Sequence, residues 1–397
     1  MSDSTKLFLY VQSILLLMLV QLGTDIYLPS VPAIYNDLGT DESVVKLSLN
    51  VMIIALGFSQ LLYGPLSDYI GRKPIIITGL IIFIIGSSLL ILPQSIFTLI
   101  LGRTIQGLGL GFGLSIGSAI ACDIYNGKTL NKAISVISAL YAVMPVVAPV
   151  MGGTLQTYLG WQANFYFLFI CGIIMFCLIK FFFKETNVYA GSQDFRLNNL
   201  ITIYYQCLKN KAYTYNLFIA TLFYAGEVSY IIQMPLVAQE TFGLSPMQTG
   251  WLIIFTSAAI IVGSSFSTIL INRLSANALI FLGVICATLG IILSFIFMIF
   301  SKHTLVTFIS PMVLFMLGSG FAFPNCIANC LEVFPNRAGA ATALALGLLT
   351  LLGGCLTIIV AKIPAHNHWA LSFFVVVTVF LMLITSLFLY RTAIKQV

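Results

Sequence analysis

Charge is scarce in this chain. Only 8% of its 397 residues are Asp, Glu, Lys or Arg, while 59% are hydrophobic. Soluble domains carry about 25% charged residues. The shortage excludes a water-soluble fold, because too little polar surface exists to cover the apolar mass, and it makes lipid the solvent. Alternation is missing as well. The apolar stretches are continuous, which excludes a strand barrel, whose segments alternate between lipid and lumen. Polar segments of any length are absent except at 184–212, so no soluble domain accompanies the membrane part. The chain has three histidines and no H-E-x-x-H, G-x-S-x-G or P-loop pattern. It offers no catalytic or metal constellation, and no enzyme activity, cofactor or metal is expected.

What is present is a series of long apolar runs. A hydrocarbon core of about 30 Å needs about 20 apolar residues per helix. Twelve runs qualify, at 7–28, 44–66, 74–92, 96–118, 133–157, 163–183, 213–237, 248–271, 277–300, 304–331, 338–361 and 369–390. The first is too long for a cleaved signal peptide and has no small-residue cleavage site after it. The expected fold is an all-α membrane protein of twelve transmembrane helices. The polar stretch 184–212 divides it into two pseudo-symmetric six-helix bundles, 1–183 and 213–397, joined by a central loop. Asn272-Arg273-Leu274-Ser275 after the eighth run sits where Asp68 to Arg72 sits after the second, as an eroded repeat.

The basic residues give the orientation. With a cytoplasmic N-terminus, Lys6, Arg72, Lys73, Lys128, Lys132, Lys180, Lys184, Arg196, Lys209, Lys211, Arg273, Arg337, Arg391 and Lys395 fall on the inner side. Only Lys46, Lys302 and Lys362 fall on the outer side. This bias predicts both termini in the cytoplasm. The net charge of +6 is therefore a topology signal, and the bases are not gathered into a nucleic-acid stripe. No cysteine of the eight falls in an outer loop, so reduced thiols acting as small apolar residues are expected. Cys326 and Cys330 share a helix face, but no histidine joins them, and His366 and His368 have no identifiable partners.

One turn is unusually rich in charge and glycine: Gly64-Pro-Leu-Ser-Asp68-Tyr-Ile-Gly71 followed by Arg72-Lys73-Pro74. An acid, two bases and two glycines between adjacent spans mark a moving part on the inner side. Asp68 can also face a helix N-terminus, where an anion is stabilised.

Ionisable residues inside spans are costly and are functional candidates by default. Asp25, Arg103 and Glu227 qualify. At 1.5 Å per residue, Asp25 lies about 5 Å, Arg103 about 10 Å and Glu227 about 15 Å from the outer ends of their runs, depths that overlap and allow all three to line one central cavity open toward the outer half. Asp25 reads as a proton carrier or as an outer-end cap before Leu28-Pro29. Arg103 does not deprotonate, so it reads as a partner that biases Asp25 or a ligand, or as a structural pin on helix carbonyls. Glu227, in Ala225-Gly226-Glu227-Val228-Ser229-Tyr230, reads as a substrate or proton group, or as a protonated interhelical hydrogen bonder.

The fourth run carries Gly107, Gly109, Gly111, Gly113 and Gly117 with no strand before and no Lys-Ser/Thr after, so close helix packing explains them better than a nucleotide loop. In the fifth, Pro145, Pro149, Gly152 and Gly153 form a kink, either tolerated or a hinge between bundles.

Taken together, these motifs resemble a known family. The turn at Gly64–Lys73 matches the signature of major facilitator superfamily transporters. Thr24-Asp25-Ile-Tyr27-Leu-Pro29, Leu101-Gly-Arg103-Thr-Ile-Gln106-Gly107, Ala148-Pro149-Val-Met-Gly152-Gly153, Trp161-Gln162-Ala-Asn-Phe165, Phe323-Pro324-Asn325 and Ala338-Gly339-Ala340 resemble the drug:proton antiporters of the bicyclomycin/chloramphenicol resistance type. The resemblance runs the whole length. It departs at Gln162 and Cys122, where the family usually has arginine, at Ala148, usually glycine, and at Glu227, which is not usual there.

The resemblance implies a proton-coupled exporter of small amphipathic drugs or metabolites, working by alternating access in the bacterial inner membrane as a monomer. A dedicated metabolite or siderophore carrier, perhaps an importer, is the alternative; a non-transporting sensor is a third reading. Asp25 and Arg103 are expected to couple protons. Glu227, Tyr27, Gln106 and Tyr230 are expected to line the substrate cavity. Gly64, Asp68, Gly71, Arg72, Asp123, Pro149, Gly152 and Gly153 are expected to gate, with Cys122 leaving the inner latch one cation short.

Overall fold

In lipid a backbone amide has no water to bond, so long apolar runs must satisfy their own hydrogen bonds as helices. The computed structural model describes residues 3–91, 95–187, 197–300, 304–334, 338–364 and 368–394. Asp194, Arg196, Lys302, Arg337, His366 and Lys395 lie outside them. Every described element is helical: α1 (Asp3–Asp25), α2 (Val31–Asp37), α3 (Glu42–Ile70), α4 (Arg72–Ile91), α5 (Ile96–Gly109), α6 (Gly113–Ile124), α7 (Gly127–Leu159), α8 (Gln162–Phe182), α9 (Leu197–Lys209), α10 (Lys211–Leu236), α11 (Pro246–Leu270), α12 (Ala276–Phe300), α13 (Leu305–Glu332), α14 (Ala338–Ala361) and α15 (His368–Ile394). Joining α1 to α2 and α5 to α6 as interrupted spans, and setting α9 aside, leaves twelve spans.

Two spans differ from expectation. The first does not end at Leu28-Pro29. A 3-10 turn at Leu28–Ser30 passes into α2, which has a proline in its first turn, where the missing N–H costs nothing. Asp25 is thus about 18 Å from the end of its span, not about 5 Å. The fourth span is not continuous either. It breaks between Gly109 and Gly113. The supposed loop 184–212 contains α9, which buries Leu200 and Cys207 and leaves Ile201, Tyr205 and Leu208 exposed.

One hydrophobic core draws on α1 to α6 and α8 and takes in Val228, Ile232 and Leu236 of α10, and a second draws on α10 to α15. The two bundles meet mainly through α3 with α14 and α7 with α11. Helices α3 and α14 run antiparallel in a continuous register: Asn50 meets Thr357, Gly57 meets Leu351, Leu61 meets Gly347 and Gly64 meets Ala343. One end of the molecule, the basic end, carries Arg72, Lys73, Lys128 and Lys211; the opposite end carries α2.

Candidate functional site

The interruption after α1 places Asp25 and Tyr27 in the interior. Tyr27 is fully buried, and the guanidinium of Arg103 lies 4.1 Å from the centre of its ring. Arg103 is itself completely buried. Its Nη1 donates to Gly23 O (3.0 Å) and to Gln106 Oε1 (2.9 Å), and Gln106 Nε2 donates to Ser87 Oγ (2.9 Å). Nε and Nη2 have no hydrogen-bond partner. A buried cation with idle donors is unusual, because charge taken from water must normally be paired.

Asp25 lies within electrostatic range of Arg103 but forms no ion pair with it among the described residues. Glu227 on α10 lies within electrostatic range of Asp25. Both acids are half-buried, whereas Tyr27, Gln106 and Tyr230 are fully buried. Gln106 therefore serves Arg103 and Ser87 in this arrangement. The Tyr230 ring lies tilted against Phe308 with centroids 5.7 Å apart, and its hydroxyl has no partner among the described residues.

Trp161 and Asn164 hold the interruption. Trp161 Nε1 donates to Asp37 (2.6 Å) and Asn164 Nδ2 to Ser30 Oγ (2.8 Å). Beyond them, Gly152 of α7 touches the Ile26 carbonyl oxygen and Gly153 touches the Pro246 carbonyl of α11. On the next turn Pro149 O meets Gly250. These contacts put α7 against both the acid-bearing break and the other bundle.

At the basic end Arg72 organises a cluster. Nη1 reaches Asp68 and Ser67 Oγ (2.7 Å), and Nε donates to Asp123 Oδ2 (3.1 Å). Asp68 Oδ2 stands beside Gly339, in the first described turn of α14. Gly71 ends α3 at φ +111°, a conformation side chains rarely adopt.

Sequence reasoning missed three members. Glu185 accepts from the backbone N–H of Arg72 (2.9 Å) and Lys73 (3.0 Å), the open N-terminus of α4. Thr186 Oγ1 donates to Asp123 Oδ2 (2.8 Å), and Asn187 Nδ2 donates to Asp68 O (2.6 Å). The available signal was an acid directly after the sixth span.

The opposite end also joins the bundles. Lys46 Nζ donates to Ile363 O (2.7 Å) and pairs with Glu42 (3.3 Å). Gln239 donates to Pro29 O (2.7 Å), and the Tyr35 hydroxyl donates to Glu240.

Known proteins share this architecture. A family model described as "Major Facilitator Superfamily" matches residues 14–358. "Multidrug resistance protein D" of Escherichia coli (strain K12) is 30% identical over 365 residues, covering 90% of this chain and 91% of that protein. "Chloramphenicol resistance protein" of Pseudomonas aeruginosa is 30% identical over 360 residues, covering 89% and 83%. Among solved structures, the peptide transporter POT in complex with sulfate superposes with TM-score 0.75 at 15% identity, covering 98% of this chain and 94% of that one; this likeness concerns the fold. With the family model spanning most of the chain, the protein belongs to the Major Facilitator Superfamily.

Proposed function

We propose that the protein is a proton-coupled secondary transporter that exports small amphipathic compounds across the bacterial inner membrane by alternating access. In this reading the basic end faces the cytoplasm, as do both termini, and the protein works as a monomer. Residues 1–183 and 213–397 are the rocking bundles, and 184–212 links them. The names of the relatives support the substrate class.

The observation that carries the reading is the setting of Asp25. It sits at a helix interruption in the bundle interface, near a buried arginine it does not pair with and opposite a second acid. An acid in that position exchanges protons with whichever side is open. Arg103 lends positive potential without neutralising it. Tyr27 and Gln106 fix the arginine in place. One charge crossing 100 mV supplies about 2.3 kcal/mol, which sustains a useful substrate gradient.

The test is efflux in inverted vesicles with an imposed pH gradient against a compound panel. Asp25→Asn is expected to abolish proton-driven accumulation while leaving downhill flux. Undiminished proton-driven transport by that variant overturns the assignment of the carrier.

A further inference from the structure

Helix α3 reaches both poles of α14, standing beside one and hydrogen-bonding the other. At the basic end Asp68 stands beside Gly339, where α14 begins and its dipole is positive. At the opposite end Lys46 reaches Ile363 O, just beyond Ala361, where α14 ends and its dipole is negative. The antiparallel register makes this possible, because 46 and 68 lie at opposite ends of α3.

Lys46 is only 1% exposed. A buried ammonium needs partners, and it has two: the Ile363 carbonyl across the interface and Glu42 one turn back on α3. The same carbonyl accepts from Gln233 Nε2 of α10 (3.1 Å), which also reaches Val360 O. The carbonyls at the C-terminal end of α14 are therefore clasped by one donor from each bundle. The position also explains why a lysine stands against the charge bias of the loops: it is bound to a helix end in place of solvent.

We propose that Lys46 is the latch of the end opposite Asp68. It is a positioning residue that holds the two bundles together there. An anion and a cation on one helix grip the two poles of its neighbour, and each conformational half-cycle releases one of them. Rocking that opens the basic end separates Asp68 from the α14 N-terminus while Lys46 holds. Rocking that opens the other end breaks the Lys46–Ile363 bond while Asp68 holds. Removing either charge therefore shifts the conformational balance in opposite directions. This placement rests on the alternating-access reading, but it is tested by distances measured without any substrate.

The experiment uses the full-length protein in lipid nanodiscs, with the eight cysteines replaced and spin labels at exposed sites. Labels at Tyr158→Cys and Val306→Cys report the Lys46 end. Labels at Lys128→Cys and Arg273→Cys report the basic end. Lys46→Met is expected to raise the long-distance population of the Tyr158–Val306 pair about fivefold. Asp68→Asn is expected to raise that of the Lys128–Arg273 pair and to lower that of the Tyr158–Val306 pair. The double variant is expected to return towards the parent distribution, and Lys46→Arg, which keeps the cation, is expected to stay near it. The proposal is overturned if Lys46→Met leaves the Tyr158–Val306 pair unmoved, if it shifts distances the way Asp68→Asn does, or if Lys46→Arg behaves like Lys46→Met. Should Lys46→Met not fold, Lys46→Gln gives the same readout. Efflux failing with these distances intact points instead at the substrate assignment.

Discussion

Gly152 lies directly against the carbonyl oxygen of Ile26, with no room for a Cβ between them. The contact joins α7 to the helix interruption that carries Asp25, and the neighbouring Gly153 extends it to Pro246 of α11. Gly152→Ala forces backbone apart, because the obstructing atom belongs to a main chain and cannot swing aside. Such overpacking costs about 1–3 kcal/mol. The expected outcome is lower thermal stability in detergent and loss of efflux. Gly117→Ala is the control: its added Cβ would meet Ser13 O at 3.5 Å, an ordinary contact, and it is expected to be silent.

The Arg72 cluster predicts graded effects. Arg72→Ala leaves Asp123 with only the Thr186 hydroxyl, a loss of about 2 kcal/mol for a charge-assisted bond. Arg72→Lys keeps the charge but cannot reach Ser67, Asp68 and Asp123 together, because an ammonium lacks the planar fork. Efflux is expected to fall more than tenfold for alanine and by less for lysine. Cys122→Arg adds a cation beside Asp123 and is expected to slow turnover by tightening the latch. Faster turnover in that variant contradicts a holding role for Asp123.

Glu185 supplies a third prediction. Its carboxylate caps the two leading N–H groups of α4, so Glu185→Ala exposes both and costs about 1 kcal/mol. Glu185→Gln retains a carbonyl acceptor and is expected to recover part of the loss. Limited proteolysis gives a second readout: new cleavage at Lys184 is expected in the alanine variant, since Thr186 and Asn187 are also tied to Asp123 and Asp68. An unchanged cleavage pattern rules out Glu185 as the clasp.

The helices were legible because lipid demands continuous apolar runs. The interruption at Leu28–Ser30 was not. Leu28-Pro29 read as a stop, yet Pro32 is equally suited to starting a helix, and only packing against Trp161 and Asn164 decides for continuation. Helix α9 was hidden in a stretch judged by its polarity, although Leu200, Tyr204 and Cys207 repeat at helical spacing. Asp25, Arg103 and Glu227 stood out because in-span charge is rare. Lys46 did not, because a charge near a span end is unremarkable until its partner is known. Ile363 is more than 300 residues away, and no local pattern encodes that pairing.

The two half-buried acids are expected to divide the work. Glu227 lies on the opposite bundle from Arg103, and its hydrogen-bonding capacity is unused among the described residues, so its carboxylate is available to a ligand. Glu227→Gln keeps the shape and removes the charge. For cationic compounds KM is expected to rise about tenfold, equivalent to about 1.4 kcal/mol, with kcat nearly unchanged. Neutral compounds are expected to keep both constants, because the proposed proton carrier, Asp25, is intact. Asp25→Asn gives the converse pattern: uphill transport fails for both classes, while cationic compounds still bind, as read by tryptophan fluorescence quenching. Loss of proton-driven flux of neutral compounds in Glu227→Gln reverses the assignment and places the proton path through α10.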